Sequence, residues 1–119
     1  MQTSEHKALT RQPGRRATWI GRSGRSFSLA GEVFTSFGME TGGLYLVAKG
    51  SNVLWVGSTD DLVADPVSRT RFRLALSCGD RAFRVDGVDL AGDRLATIWD
   101  LEGAAPQGAL HVLTPQKAA

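Results

Sequence analysis

Two short apolar runs with a polar connection between them stand out along this chain. Leu44–Ala48 and Val53–Gly57 flank Lys49-Gly50-Ser51-Asn52, which predicts an antiparallel hairpin at the centre of a sheet. Both faces of the pair are apolar (Leu44, Leu46 and Val47; Leu54, Trp55 and Val56). Helices are therefore expected on at least one side. An earlier hairpin is predicted from Ala17–Gly21 and Ser26–Leu29, with Ser23-Gly24 in the turn and Ile20 opposite Phe27.

Helical signals follow the second hairpin. Ser58-Thr59-Asp60-Asp61 offers capping side chains for a short helix over Asp61–Asp65. Asp65-Pro66 is a second start, because Asp caps and Pro fits the first helical position. The stretch to Cys78 fits two periods. Arg69, Arg71 and Arg73 alternate with Thr70, Phe72 and Leu74 as in a strand, while Phe72, Ala75, Leu76 and Gly79 suit a helical face. The Asp-Pro start decides for a helix ended by Gly79. Ala82–Val85 predicts a strand closed by Asp86-Gly87. The spacing of Leu95, Ile98, Trp99 and Glu102 predicts a last helix over Leu90–Glu102. The expected fold is thus α/β (α+β), a small antiparallel central sheet flanked by helices with an N-terminal β-hairpin. Residues 17–106 form one domain, between a disordered basic arm (1–16) and a loosely ordered tail (107–119).

Composition narrows the class. A chain of 119 residues holds one modest core. No run approaches the ~18 apolar residues of a membrane span, and the polar, basic N-terminus is no secretory signal. Cys78 is the sole cysteine, which excludes an internal disulfide and reads as a small buried hydrophobe. These features point to the cytoplasm and away from a membrane partner. The net charge of +2 hides an asymmetry: residues 1–26 carry six bases against Glu5, and the remainder carries eight bases against eleven acids. A basic arm on a mildly acidic body suits a polyanion such as DNA or RNA; a solubilising tail is the plainer reading of residues 1–16.

Candidate sites can be weighed residue by residue. Asp60, Asp61 and Asp65 form one acidic cluster and Asp86, Asp89 and Asp93 another. Neither has the spacing of a calcium loop, so helix capping is the expected role and no metal site is expected. His6 and His111 lie near opposite termini. Gly21–Gly24 is too short for a phosphate loop. Arg22, Arg25, Arg69, Arg71 and Arg73 suit a basic strip that contacts phosphates, or a solvated helix face pairing with Asp65 and Asp80. Trp55 and Trp99 read as core, and Trp19 as partly exposed.

Three segments together carry a resemblance. They are Trp19-Ile20-Gly21-Arg22-Ser23-Gly24-Arg25-Ser26-Phe27, Gly43-Leu44-Tyr45 and, nine residues on, Trp55-Val56-Gly57-Ser58-Thr59-Asp60-Asp61-Leu62. The last two resemble the paired signature of GIY-YIG nucleases, and the first is similar to the opening hairpin of a small bacterial subgroup of GIY-YIG-like proteins. The likeness covers residues 17–62 and extends to 63–106 only in outline.

The resemblance implies a fold and a reaction, metal-dependent phosphodiester cleavage. It also implies how far the reaction is lost. Tyr45 matches the tyrosine that helps order the attacking water. Trp55 replaces the second tyrosine, and an indole N–H only donates. Asp65 stands where an arginine stabilises the phosphate, with Arg69 one turn later. Thr97 stands where a glutamate holds the metal, and a threonine hydroxyl is a poor sole anchor for a divalent cation; a gap would bring in Asp93 or Asp100. Ala109 replaces an asparagine. The expectation is a degenerate cleft (Tyr45, Trp55, Asp65, Arg69, Thr97) without cofactor, magnesium being needed only by a residual nuclease. The expected function is nucleic-acid binding without cleavage. The alternative is a protein-interaction or regulatory module that keeps only the scaffold, and a residual endonuclease stands third.

Overall fold

A computed structural model describes residues 15–88, 92 and 94–108. Six strands form one antiparallel sheet: β1 (Arg16–Ile20), β2 (Ser26–Glu32), β3 (Leu44–Lys49), β4 (Asn52–Gly57), β5 (Arg81–Val85) and β6 (Ala105–Pro106). Their spatial order is β4-β3-β5-β2-β1-β6. The helices are α1 (Thr59–Ala64), α2 (Pro66–Cys78) and α3 (Arg94–Glu102), with a single 3-10 turn at Phe34–Ser36. The expected mixed architecture and N-terminal hairpin are present.

The β3–β4 hairpin does not sit at the centre. β5 returns after α2 to pair with β3 on one side (Leu46↔Phe83) and β2 on the other (Gly31↔Phe83). Its Ala82, Phe83 and Val85 are buried, so β5 takes the interior and β4 is left as an edge. The first hairpin is also one residue out of the expected register. Trp19 lies opposite Phe27, and Ile20 opposite Ser26. A one-residue slip exchanges the faces of a strand, so Trp19 points inward and is 1% exposed. Arg16, assigned to the arm, already pairs with Ala30, and Ala105–Pro106 add a short strand beside β1. Residues 1–14 and 109–119, and with them most of the arm and tail, lie outside the described residues.

Apolar layers cover both faces of the β3–β4 half. On one face α3 contributes Leu101 and Ile98 to a cluster with Trp19, Phe27, Leu44 and Phe83. On the other α2 contributes Ala75, Phe72 and Leu76 against Tyr45, Val47 and Trp55. Each large side chain so buried adds about 1.5–3 kcal/mol. The helical reading of 66–78 wins because Asp65 Oδ1 accepts the Val67 N–H at 3.0 Å and Pro66 occupies the first turn. Two expectations of burial fail on these helices. Cys78 is exposed at the last position of α2, where it lines an open hollow beside Leu74 and Ala75. Trp99 is 55% exposed, because Thr97, Asp100 and Leu101 form the inward line of α3.

Candidate functional site

The two signature segments share one face of one hairpin. Tyr45 lies opposite Gly57, and Val47 opposite Trp55, so Tyr45 and Trp55 project to the same side. Each aromatic ring lies over a glycine two residues away along the chain: Gly43 just before β3 and Gly57 at the end of β4. A Cβ on Gly43 would fall 2.9 Å from the Tyr45 ring, and one on Gly57 2.5 Å from the Trp55 ring. The Gly-x-aromatic and aromatic-x-Gly spacings are thus met by packing: the glycines leave the space that the rings fill.

Both polar tips have partners. The Tyr45 hydroxyl accepts the Glu40 N–H at 2.9 Å, and the Trp55 indole N–H donates to Ser68 Oγ at 3.0 Å. Tyr45 is 2% exposed, with Phe37 edge-on to its ring at 5.5 Å between centroids.

The other positions expected around Tyr45 are spread over different parts of the fold. Asp65 is exposed and caps α2. Arg69 donates to the Leu62 and Val63 carbonyls at 2.7 and 3.2 Å, closing the open end of α1. Thr97 is buried one turn before Leu101, on the helix that packs against the opposite face from Tyr45. Asp93 and Ala109 lie outside the described residues.

Asp100 is 6% exposed and has a different role. It anchors the β1–β2 turn, accepting the Ser23 N–H at 2.8 Å and the Ser23 hydroxyl at 2.6 Å. Gly21 is what admits it, since a Cβ there would sit 2.1 Å from Asp100 Oδ1. Arg22 completes the joint: its Nε donates to the Trp99 carbonyl at 2.8 Å, and its guanidinium lies 5.0 Å from the centroid of the Trp99 ring. The Trp-x-Gly-x-Ser-Gly-Arg segment therefore docks the first hairpin onto the last helix.

The five arginines do not form one strip. Arg22 is held by Trp99, and Arg25 lies over the Phe27 ring at 4.7 Å. On α2, Arg69 and Arg73 are one turn apart, but Arg71 is about 200° around the helix from Arg69 and 160° from Arg73. Arg71 faces a groove along β4.

That groove was not legible as a site. One part is a hollow of about 180 Å³ between α2 and α3, floored by Trp55 and Val56 and walled by Val67, Leu95 and Ile98. A second hollow of about 260 Å³ is lined by Leu54, Leu74, Ala75 and Cys78. A smaller one, lined in part by Leu54, Trp55 and Glu102, shares residues with both. Arg71 borders all three. The register of β4 shifts beside Val47 and Ala48; this bulge leaves Leu54 without a cross-strand partner and turns it toward the groove. One end is polar: Arg94 donates to Ser58 Oγ at 2.8 Å and pairs with Asp61, which also accepts the Ser58 N–H at 2.7 Å. Among the described residues Val63, Val67, Leu74, Leu95 and Trp99 are the exposed large apolar side chains, all on the three helices.

Among the described residues no three His, Cys, Asp or Glu side chains come together where they could hold a metal ion, and no described helix is long and apolar enough to cross a membrane. No protein-family model matches the chain, and no curated protein or solved structure does.

Proposed function

We propose that this chain is a GIY-YIG-like scaffold that binds a protein partner along β4 and cuts no phosphodiester. The observation that carries the reading is the groove: Val67, Leu74 and Leu95, each more than half exposed, line hollows whose floor is an edge strand. Exposed apolar side chains gathered at one site mark an interaction surface more often than a solvated face. The lack of cleavage is supported by the occupation of the groups a nuclease would use. The Tyr45 hydroxyl, the Arg69 guanidinium and the Asp100 carboxylate each serve a bond that holds the fold together.

Nucleic-acid binding is the second reading, favoured by Arg71 and Arg73, which are exposed on α2. Fluorescence anisotropy of labelled single- and double-stranded oligonucleotides at low salt separates the two. The protein-partner reading expects no saturable binding. Binding that weakens steeply with salt and is lost in an Arg71→Glu, Arg73→Glu double variant would replace it with the nucleic-acid reading.

A further inference from the structure

Resting on the protein-partner reading, we infer that β4 takes up an extended segment of the partner as a seventh strand, and that this segment carries a carboxylate between apolar side chains. β4 ends the sheet among the described residues, so one edge of its backbone is left for another strand. Natural edges are blunted by charge, proline or a β-bulge. Asn52-Val53-Leu54-Trp55-Val56-Gly57 has neither charge nor proline, and its bulge at Leu54 leaves Trp55–Gly57 in regular pairing with β3.

The surroundings define the occupant. A strand added about 4.8 Å beyond β4 projects alternate side chains toward α2 and α3. The hollow at Leu54, Leu74, Ala75 and Cys78 accepts an apolar group. So does the apolar side of the hollow at Trp55, Val67, Leu95 and Ile98, which Asp61, Asp65, Arg94 and Glu102 also line. Arg71 stands at both. Among the described residues the ion pairs are Arg16 and Arg84 with Asp86 and Arg94 with Asp61, and Arg71 is in none of them. An aspartate or glutamate of the incoming strand gives it a partner, and a charge-assisted bond of that kind fixes register. A second copy of the chain fits less well. Two-fold antiparallel pairing of β4 about Leu54–Trp55 keeps the sheet faces matched, so Arg71 meets Arg71 and Glu102 meets Glu102, like charges opposite one another.

The test uses the full chain and a displayed library of randomised dodecapeptides. Enriched peptides are expected to carry Asp or Glu with apolar residues on both sides. A synthetic peptide of the enriched sequence should bind about tenfold more weakly to Arg71→Glu. It should weaken about as much when every second backbone amide in one of its two alternate sets is N-methylated, because that set donates to β4. Arg71 is exposed, and an unchanged melting temperature in Arg71→Glu keeps folding out of the comparison. Strand addition is overturned by any of four results: no enrichment, enrichment insensitive to Arg71→Glu, indifference to N-methylation of both sets, or a dimer in light scattering that binds no peptide. A helical binder indifferent to N-methylation leaves the protein-partner reading standing. That reading fails separately if a photocrosslinker at Leu95 captures nucleic acid.

Discussion

Gly21→Ala and Asp100→Ala are each predicted to destabilise the domain, and their effects are predicted not to add. The Asp100 carboxylate makes two hydrogen bonds to Ser23. Bonds to a charged acceptor contribute about 1.5–3 kcal/mol each. Ser23 is exposed, so water replaces part of what is lost, and about 3 kcal/mol in total is expected for Asp100→Ala. A Cβ at Gly21 would lie 2.1 Å from Asp100 Oδ1 and 2.7 Å from its Cγ, so the carboxylate must leave. Crowding adds about 1 kcal/mol to the broken bonds, the low end for an overpacked methyl, which gives about 4 kcal/mol for Gly21→Ala. In the double variant the obstructing atoms are gone, and only Phe27, 3.0 Å from the added Cβ, remains to be accommodated. The pair should then cost about 4 kcal/mol, against about 7 if the sites were independent. Urea unfolding followed by tryptophan fluorescence reads all four corners of the cycle. A double variant within about 0.5 kcal/mol of the sum would refute the reasoning, because it would mean that Gly21 and Asp100 do not share one space.

Further predictions concern single sites. Supercoiled plasmid incubated with the protein and magnesium or manganese should stay intact, and Trp55→Tyr should restore no nicking, since Asp65 and Arg69 remain tied to the helix ends; nicking lost on Tyr45→Phe would show a working site. Cys78 should react to completion with a maleimide in the folded protein, and protection until urea is added would contradict its exposure. Arg69→Met keeps the aliphatic stem and loses the two carbonyl contacts at the end of α1, so it should lower stability by about 1–2 kcal/mol in a denaturant melt; no change would show that those carbonyls are equally served by water. Trp99→Ala should cost about 1 kcal/mol or less, the value of a half-exposed ring under one arginine, and a core-sized loss of about 3–5 kcal/mol would place the ring inside.

Local signals were the most legible. The two apolar runs of 44–57 and the Asp65-Pro66 start each depend on neighbours in sequence, and each gave an element where expected. Long-range consequences were not legible. That β5 inserts between β3 and β2, leaving β4 outside, depends on pairing between strands more than thirty residues apart. The first hairpin turns over Arg22-Ser23-Gly24, with the Gly21 N–H on the Arg25 carbonyl and Gly24 at φ +92°. That is one residue more than the expected Ser23-Gly24 turn, and it decides that Trp19 and not Ile20 enters the core. On α3 the apolar spacing of Leu95, Ile98 and Trp99 was right for Ile98, which packs on the core, and wrong for Leu95 and Trp99, which are exposed. The helix is rotated to bring in Leu101 and Asp100, and Asp100 is drawn inward by hydrogen bonds to a turn 77 residues away. The groove escaped notice for the same reason: its walls come from α2 and α3, and only the folded edge of β4 brings them together.

The most direct measurement is photocrosslinking from Leu95, on the groove wall, compared with Thr18, exposed on β1, four strands across the sheet from β4. The crosslinking amino acid is placed at each position in turn in the full chain within its native cell. The account predicts a discrete adduct from Leu95 that is digested by protease and survives nuclease, with none from Thr18. Adducts of equal yield at both positions, or a Leu95 adduct removed by nuclease, would contradict it.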